Sequence, residues 1–267
     1  MPQKQTKCLG WLKNPKRRER RDKPFTLTDN QVKELIKTIE EMDEYTKLDP
    51  KPDRWVRTRD KALIAIGWTF FKRGNEILRL RLSDVYFDDY ELNVTFNVSK
   101  KAKRVKICPF CQEINASKAR FCRNCGEVIQ NVPLTEVSKG YVIVTKRKTM
   151  EFPFCKYIVE WIKLAKELGC PLDGFLFAPY NHFTNNFIWS RKLTVQRFDQ
   201  ILQRLDPTLT SHMFRYGATE KYLRMGYSPY DLKEIGDWSS IQMPETYAKR
   251  KGLTKSQERF AKDTRMI

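Results

Sequence analysis

SHMFRYGATEKYLRM, residues 211–225, reads as a helix that opens with a basic pair. His212 and Arg215 stand at i and i+3, so they share one face near the helix N-terminus, where anions bind well. Ile235-Gly236-Asp237-Trp238 begins twenty-three residues after His212. Tyr247 lies nine residues beyond Trp238, inside Pro244-Glu245-Thr246-Tyr247-Ala248-Lys249. Upstream, Arg73 closes an apolar helix in Phe70-Phe71-Lys72-Arg73-Gly74-Asn75-Glu76-Ile77. Each piece alone has an ordinary explanation. An exposed His-Arg pair is usually solvated surface, and an Arg at a helix C-terminus complements the helix dipole.

The chain around these residues has 267 positions, enough for one large domain or two modest ones with a real core. Hydrophobic residues at 40% and charged residues at 31% exclude a disordered chain. Lys and Arg total 51 against 32 Asp and Glu, a formal net charge of +19. An excess of that size points to a polyanionic partner, nucleic acid or an anionic membrane surface. No run approaches the ~18 consecutive apolar residues of a membrane helix, and the opening MPQKQTKCLGWLKNPKRRERR has no apolar core of a secretory signal. Seven cysteines, an odd number, argue against a secreted disulfide framework and favour a reducing, cytoplasmic setting.

Residues 1–25 carry nine Lys or Arg against Glu19 and Asp22, and read as a basic arm able to lie along phosphates. The first helix is expected from Thr28, which forms a T-x-x-Q capping box with Gln31, followed by Val32, Leu35, Ile36, Ile39 and Met42 at helical spacing. KLDPKPDR (47–54) reads as a proline-broken connector, with a buried helix over Asp60–Phe71 and a short one in NEILRLRL. Strands are expected within 85–96, and YVIVTKRKTMEFPF (141–154) reads as a hairpin with its basic turn at TKRK. The pattern is helical from Phe154 onward: CKYIVEWIKLAKEL, LTVQRFDQILQRL, SHMFRYGATEKYLRM, SPYDLKEI with Ser228 as N-cap and Pro229 behind it, and KSQERFAKD. The fold class is mainly α with a small antiparallel sheet and one small inserted module.

Cys108-Pro-Phe-Cys111 and Cys122-Arg-Asn-Cys125 are two C-x-x-C pairs ten residues apart. Each pair presents two thiolates from a tight turn, and together they complete a four-cysteine zinc site with no open position, hence structural rather than catalytic. A redox dithiol is the other reading of C-x-x-C, but two matched pairs in a short loop-rich segment fit a zinc-ribbon-like module better, with bounds at 104–132. Gly126 suits the turn after the second pair, and Gln112 takes that position in the first. Cys155 and Cys170 are expected in the core; Cys8 is isolated.

Taken in order, Arg73, His212, Arg215, Trp238 and Tyr247 resemble the catalytic domain of the tyrosine recombinase and phage integrase family. That family carries an Arg in a TGxRxxE-like turn, a hairpin Lys, H-x-x-R, a His or Trp, and a nucleophilic Tyr. Here Thr69–Glu76, His212-x-x-Arg215, Trp238 and Tyr247 match, and the resemblance covers about residues 26–250 of a catalytic unit bounded at 26–267. It implies a site-specific recombinase or integrase that cuts and rejoins double-stranded DNA through a 3′-phosphotyrosyl ester, without metal or ATP in the chemistry. Arg73 and Arg215 clamp the phosphate, His212 assists proton transfer, Trp238 offers an indole N–H, and a hairpin lysine is the general acid. Lys146 is favoured over Lys148 for that acid, and Lys100 is set aside because no helix directly follows it. The resemblance further implies a homo-tetramer on paired DNA sites and a cytoplasmic, nucleoid-associated protein of prokaryotic or viral origin.

Two departures stand out. Only the basic arm precedes Thr28 where most members carry a clamping domain, and the cysteine module interrupts the catalytic unit. The polar segment 251–267 favours a recombinase, whose C-terminal helix docks on a neighbouring subunit. A type IB topoisomerase and a non-catalytic DNA-binding protein on the same scaffold are the competing readings. His182, in PYNHFTN, is read as incidental.

Overall fold

The computed structural model describes residues 27–43, 45–46, 48–99, 103–137 and 141–250. The basic arm, the last expected helix, the 251–267 segment, Cys8 and Lys100 therefore lie outside the described residues.

Helix α1, Asp29–Glu41, starts at the expected box: Thr28 Oγ1 accepts from Gln31 N at 3.3 Å while Gln31 Oε1 accepts from Thr28 N at 2.9 Å. It buries Val32, Ile36 and Ile39. Helix α2 runs from Pro50 to Phe70, ten residues earlier than the sequence suggested. Pro50 and Pro52 occupy its first turn, where a missing N–H breaks no helical bond, so the prolines start the helix rather than interrupt it.

From Thr58 onward every residue of α2 is buried, which makes it the axis of the core. A fully buried Leu or Ile there contributes roughly 1.5–3 kcal/mol. Its three buried charges are paired. Arg59 meets Asp60 at 2.7 Å and the Ala178 carbonyl at 2.9 Å, Tyr45 donates to Asp60 at 2.8 Å, and Lys61 meets Glu40 at 3.0 Å.

The helix expected in NEILRLRL is only α3, Gly74–Ile77, followed by a single 3₁₀ turn at Leu82–Asp84. Strands β1 (Val85–Phe87) and β2 (Glu91–Ser99) come next, then β3 (Lys103–Ile107), β4 (Ile114–Ala116), β5 (Thr135–Val137) and β6 (Tyr141–Thr149). The hairpin expected within 141–154 does not form. Residues 141–149 are one strand, paired antiparallel with β2 from Glu91↔Thr149 to Ser99↔Tyr141. No residue from 144 to 149 is Gly, Asn or Asp, so nothing at TKRK favours the positive φ of a tight hairpin turn. The sheet order is β1-β2-β6, and the cysteine module, a second sheet of order β4-β3-β5, is threaded between its two long strands.

Helix α4 (Cys155–Glu167) packs on α2 and buries Trp161, whose indole donates to the Leu176 carbonyl at 3.0 Å. A two-residue ladder, β7 (Tyr180–Asn181) with β8 (Asn186–Phe187), leads to α5 (Val195–Leu205), α6 (Ser211–Arg224), α7 (Pro229–Ile235) and α8 (Gln242–Arg250). Thr194 caps α5 and Ser228 caps α7, the latter through a reciprocal box with Asp231. Cys155 and Cys170 are buried core residues, and burial pushes each thiol up to about 11. Among the described residues, no helix is long and apolar enough to cross a membrane.

Candidate active site

Three tight joints deliver the site. At the end of α2, Phe71 takes a left-handed conformation, φ 38°, and turns the chain so that Arg73 caps α3. This is the turn position where the TGxRxxE pattern has glycine; here a buried phenyl ring, packed 5.5 Å from Tyr222, holds the strained backbone in place. At the second joint, Ser211 N donates to Asp199 at 2.7 Å and ties α6 to α5. A Cβ on Gly74 would stand 3.1 Å from Ser211 Oγ, so α3 lies directly against the start of α6 and brings Arg73 toward His212.

The third joint is the turn Gly236-Asp237-Trp238. Asp237 has φ 51°, and the Trp238 ring folds back so far that a Cβ on Gly236 would meet it at 1.8 Å.

Arg215 bolts these joints together. It is 1% exposed, donates from Nη1 to the Phe71 carbonyl at 3.1 Å and from Nη2 to the Gly236 carbonyl at 2.7 Å, and lies 3.9 Å from the centre of the Trp238 ring. Burial and the nearby Arg73 charge, opposed by Glu76 and Tyr247, pull its guanidinium down to about 10, so it stays charged at neutral pH. Arg73 is more open, its side chain 41% exposed, and is oriented by Glu76: Nη1 donates to Oε1 at 2.8 Å and its backbone N–H to Oε2 at 3.0 Å.

His212 sits on the exposed side of α6 beside both guanidinium groups. Desolvation of its packed side, then the charges of Arg215 and Arg73, hold the imidazole below its ordinary value against the pull of Asp199. Its ring meets Tyr216 edge-on at 4.8 Å, and Tyr216 meets Tyr247 at 4.6 Å. Trp238 lies 6.3 Å from Tyr247, which α8 holds at 5% exposure. Arg73, His212, Arg215, Trp238 and Tyr247 thus converge on one locus from three helices and a turn.

Lys146 is not in a hairpin turn. It lies mid-strand in β6, opposite Val94, because the connection between the paired strands spans residues 100–140. Its ammonium nevertheless reaches the site, 3.1 Å from Asp237 Oδ1 and 3.0 Å from the Glu234 carbonyl, and desolvation lowers its pKa. Lys148 points elsewhere, donating to Tyr222 at 2.7 Å. His182 packs against Tyr180 and takes no part in this cluster.

Two members of the cluster were not singled out in the sequence. Lys72 has a side chain with 0% exposure and forms an ion pair with Asp237. Burial, then the Lys146 and Arg215 charges, push its ammonium downward, while the carboxylate in contact with it favours the charged form. The available signal was a lysine directly after Phe70-Phe71 in an otherwise apolar helix end. The second is Tyr216, whose ring links His212 to Tyr247.

The four module cysteines gather into one group, all sulfurs within 4.8 Å of one another. Cys108 and Cys125 lie 3.6 Å apart, Cys111 and Cys122 3.5 Å apart. A tetrahedral ion with bonds of about 2.3 Å needs edges of about 3.8 Å, so this set is able to hold a metal ion. The two turns are alike: Gln112 N donates to the Cys108 carbonyl and Gly126 N to the Cys122 carbonyl, each at 3.0 Å, with φ 60° at Gln112 and 77° at Gly126. Buried Asn115 donates to Cys122 Sγ at 3.5 Å and accepts from Arg123 N at 2.9 Å, which braces the second turn.

No family model and no curated protein matches the sequence. Solved structures do. The XerH site-specific recombinase bound to difH substrate, a pre-cleavage complex, is similar with a TM-score of 0.54 at 14% identity, over 84% of this chain and 50% of that one. The post-cleavage complex of XerH with palindromic difH gives 0.55 at 15% identity, over 89% and 52%. The XerA recombinase gives 0.49 at 14% identity, over 88% and 66%. The chain spans about half the length of the XerH chains it matches. This protein has the fold of the tyrosine recombinase catalytic domain, mostly helical with small antiparallel sheets.

Proposed function

We propose that the protein is a site-specific DNA recombinase or integrase that cuts and rejoins double-stranded DNA through a 3′-phosphotyrosyl intermediate. One observation carries this reading: Arg73, His212, Arg215, Trp238 and Tyr247, spread over 175 positions, meet around a single locus.

In the reaction the Tyr247 oxygen attacks the scissile phosphorus and its proton passes toward His212, which is neutral and able to accept it. The bond from phosphorus to the 5′ oxygen breaks, and that oxygen takes a proton from a lysine, for which Lys146 is the described candidate. Attack by a 5′ hydroxyl from a second strand reverses the steps and releases Tyr247. Arg73 and Arg215 offer guanidinium donors to the non-bridging oxygens, where charge accumulates. Tyr247 is 5% exposed, so α8 has to shift toward the phosphate when DNA docks.

Double-stranded DNA also suits the cationic cleft of about 630 Å³ that includes Arg191, Lys192 and Arg197. Lys192 donates to Asn75 at 3.0 Å, two residues from Arg73, which joins the cleft to the site. The soft four-sulfur set suits zinc, a structural ion in the connection between β2 and β6. Action as a homo-tetramer on paired DNA sites is what the resemblance to the recombinase family implies.

The test is denaturing electrophoresis with a suicide duplex carrying the protein's own site, recovered by sequencing DNA crosslinked to it. Wild type forms a covalent adduct; Tyr247→Phe keeps the fold and DNA binding but forms none. An adduct that survives in Tyr247→Phe refutes Tyr247 as nucleophile and points to Tyr216, Tyr222, Tyr227 or Tyr230.

A further inference from the structure

We infer that Asp237 is a positioning residue, held by buried Lys72 so that its carboxylate aims the Lys146 ammonium into the active site. The inference rests on the reading of Lys146 as the general acid.

The geometry is a three-part bridge. Lys72 is fully enclosed at the end of α2 and has an anion in contact, Asp237, with the Ile235 carbonyl at 3.5 Å. The second oxygen of the same carboxylate meets Lys146 at 3.1 Å, and the Glu234 carbonyl takes that ammonium at 3.0 Å. The bridge therefore joins three elements far apart in sequence: the end of α2, the middle of β6 and the turn before Trp238. Asp237 stands at φ 51°, a conformation an L-residue adopts only where its surroundings hold it there.

Chemistry says what such a bridge does. A lysine on a flexible four-carbon stem is a poor general acid unless its ammonium is fixed near the leaving oxygen. Lys146 projects from a strand rather than from a turn, and its side chain is mostly buried, 20% exposed. Asp237 and the Glu234 carbonyl supply two fixed acceptors and leave the third N–H of the ammonium to point outward. Lys72 neutralises Asp237 from the protein side, so the carboxylate does not stand as an uncompensated negative charge facing a phosphate. Without Lys72, Asp237 would repel the substrate; without Asp237, the Lys72 ammonium would be buried alone.

The experiment compares cleavage of a suicide duplex with a normal 5′ oxygen against one with sulfur at the bridging 5′ position. A thiolate leaves without a proton, so the sulfur substrate bypasses the general acid. Asp237→Asn is expected to slow oxygen cleavage by roughly tenfold or more while cleaving the sulfur duplex within about twofold of wild type. Lys146→Ala is expected to show the same pattern more strongly, and adding Asp237→Asn to it to slow the reaction no further. Lys72→Met with Asp237→Asn removes both charges, so it is expected to melt near wild type yet stay slow on oxygen and normal on sulfur.

Equal slowing on both substrates in Asp237→Asn, unchanged or faster oxygen cleavage, or restored oxygen cleavage in the double variant overturns the positioning role and leaves Lys146 as the acid. Lys146→Ala that sulfur fails to rescue removes Lys146 from the chemistry and overturns both assignments.

Discussion

Arg73 and Arg215 are assigned the same chemical task, but the structure gives them different loads, and alanine substitution should separate the two. Arg215 is buried and makes two charge-assisted hydrogen bonds to backbone carbonyls, at 3.1 Å to Phe71 and 2.7 Å to Gly236. Each is worth roughly 1.5–3 kcal/mol. Its guanidinium also lies 3.9 Å from the Trp238 ring centre, a contact worth roughly 1–2 kcal/mol when desolvated. Arg215→Ala is therefore expected to lose about 4–8 kcal/mol, a large part of the ~5–15 kcal/mol that holds a typical domain. For a body of this size that is a fall in Tm of roughly 10–30 °C.

Arg73 has 41% of its side chain exposed and one charged partner, Glu76. Its removal also relieves repulsion with Arg215, to which the buried Glu76 carboxylate is already electrostatically coupled. Arg73→Ala should lose only about 1–2 kcal/mol. Both variants should fail to form the covalent adduct. Urea and thermal denaturation followed by circular dichroism measure the difference. Arg215→Ala melting within a few degrees of wild type, or both variants destabilised alike, refutes the idea that Arg215 carries the joint between α2 and the Trp238 turn.

Removing the proposed zinc should unfold the cysteine module and leave the helices intact, because the module's buried apolar residues, among those described, are only Val105, Cys108, Cys122 and Ile129; hydrogen exchange confined to 103–137 after chelation is the expected signature, and Cys111→Ser should bind less zinc by elemental analysis. The His212 ring should titrate below the ordinary imidazole range in the DNA-free protein, resolved by NMR because there are only two histidines, and Asp199→Asn should lower it further. Since that folded-state pKa lies below the unfolded one, the unfolded chain binds more protons between the two values; the His212 contribution to stability is full above about pH 6.5 and is lost as pH falls through the folded value. Gly236→Ala should lower both Tm and cleavage, since the new methyl would lie 1.8 Å from the Trp238 ring; a variant with wild-type melting would mean the ring has another place to go.

The residues to which the proposed chemistry is assigned stand out in the sequence because their spacing is local: His212 and Arg215 are one turn apart, and Trp238 and Tyr247 follow in the same stretch. The Thr28 box and the cysteine pairs were readable for the same reason. The errors arose where the deciding partner is distant. Residues 141–149 contain a basic cluster that looks like a turn, yet their partner strand begins fifty residues earlier at Glu91, and pairing with it keeps TKRK extended. Pro50 and Pro52 looked like breaks because a sequence does not say whether a proline is first or fifth in a helix. Lys72 and Asp237 are 165 positions apart, so nothing local could pair them.

The threading of the cysteine module between β2 and β6 also bears on how the chain reaches this fold. Ser99 and Tyr141 must meet to start the pairing of the two long strands, and 41 residues separate them. In a flexible chain the entropy of closing such a loop grows as about 1.5RT times the logarithm of its length. A module already closed on the proposed zinc shortens the effective loop to its few connecting residues, which lowers the closure cost by roughly 2 kcal/mol, or about thirtyfold in the chance of contact. On that proposal, zinc capture before sheet formation should speed folding of the helical body, even though the ion would lie outside the site that body builds.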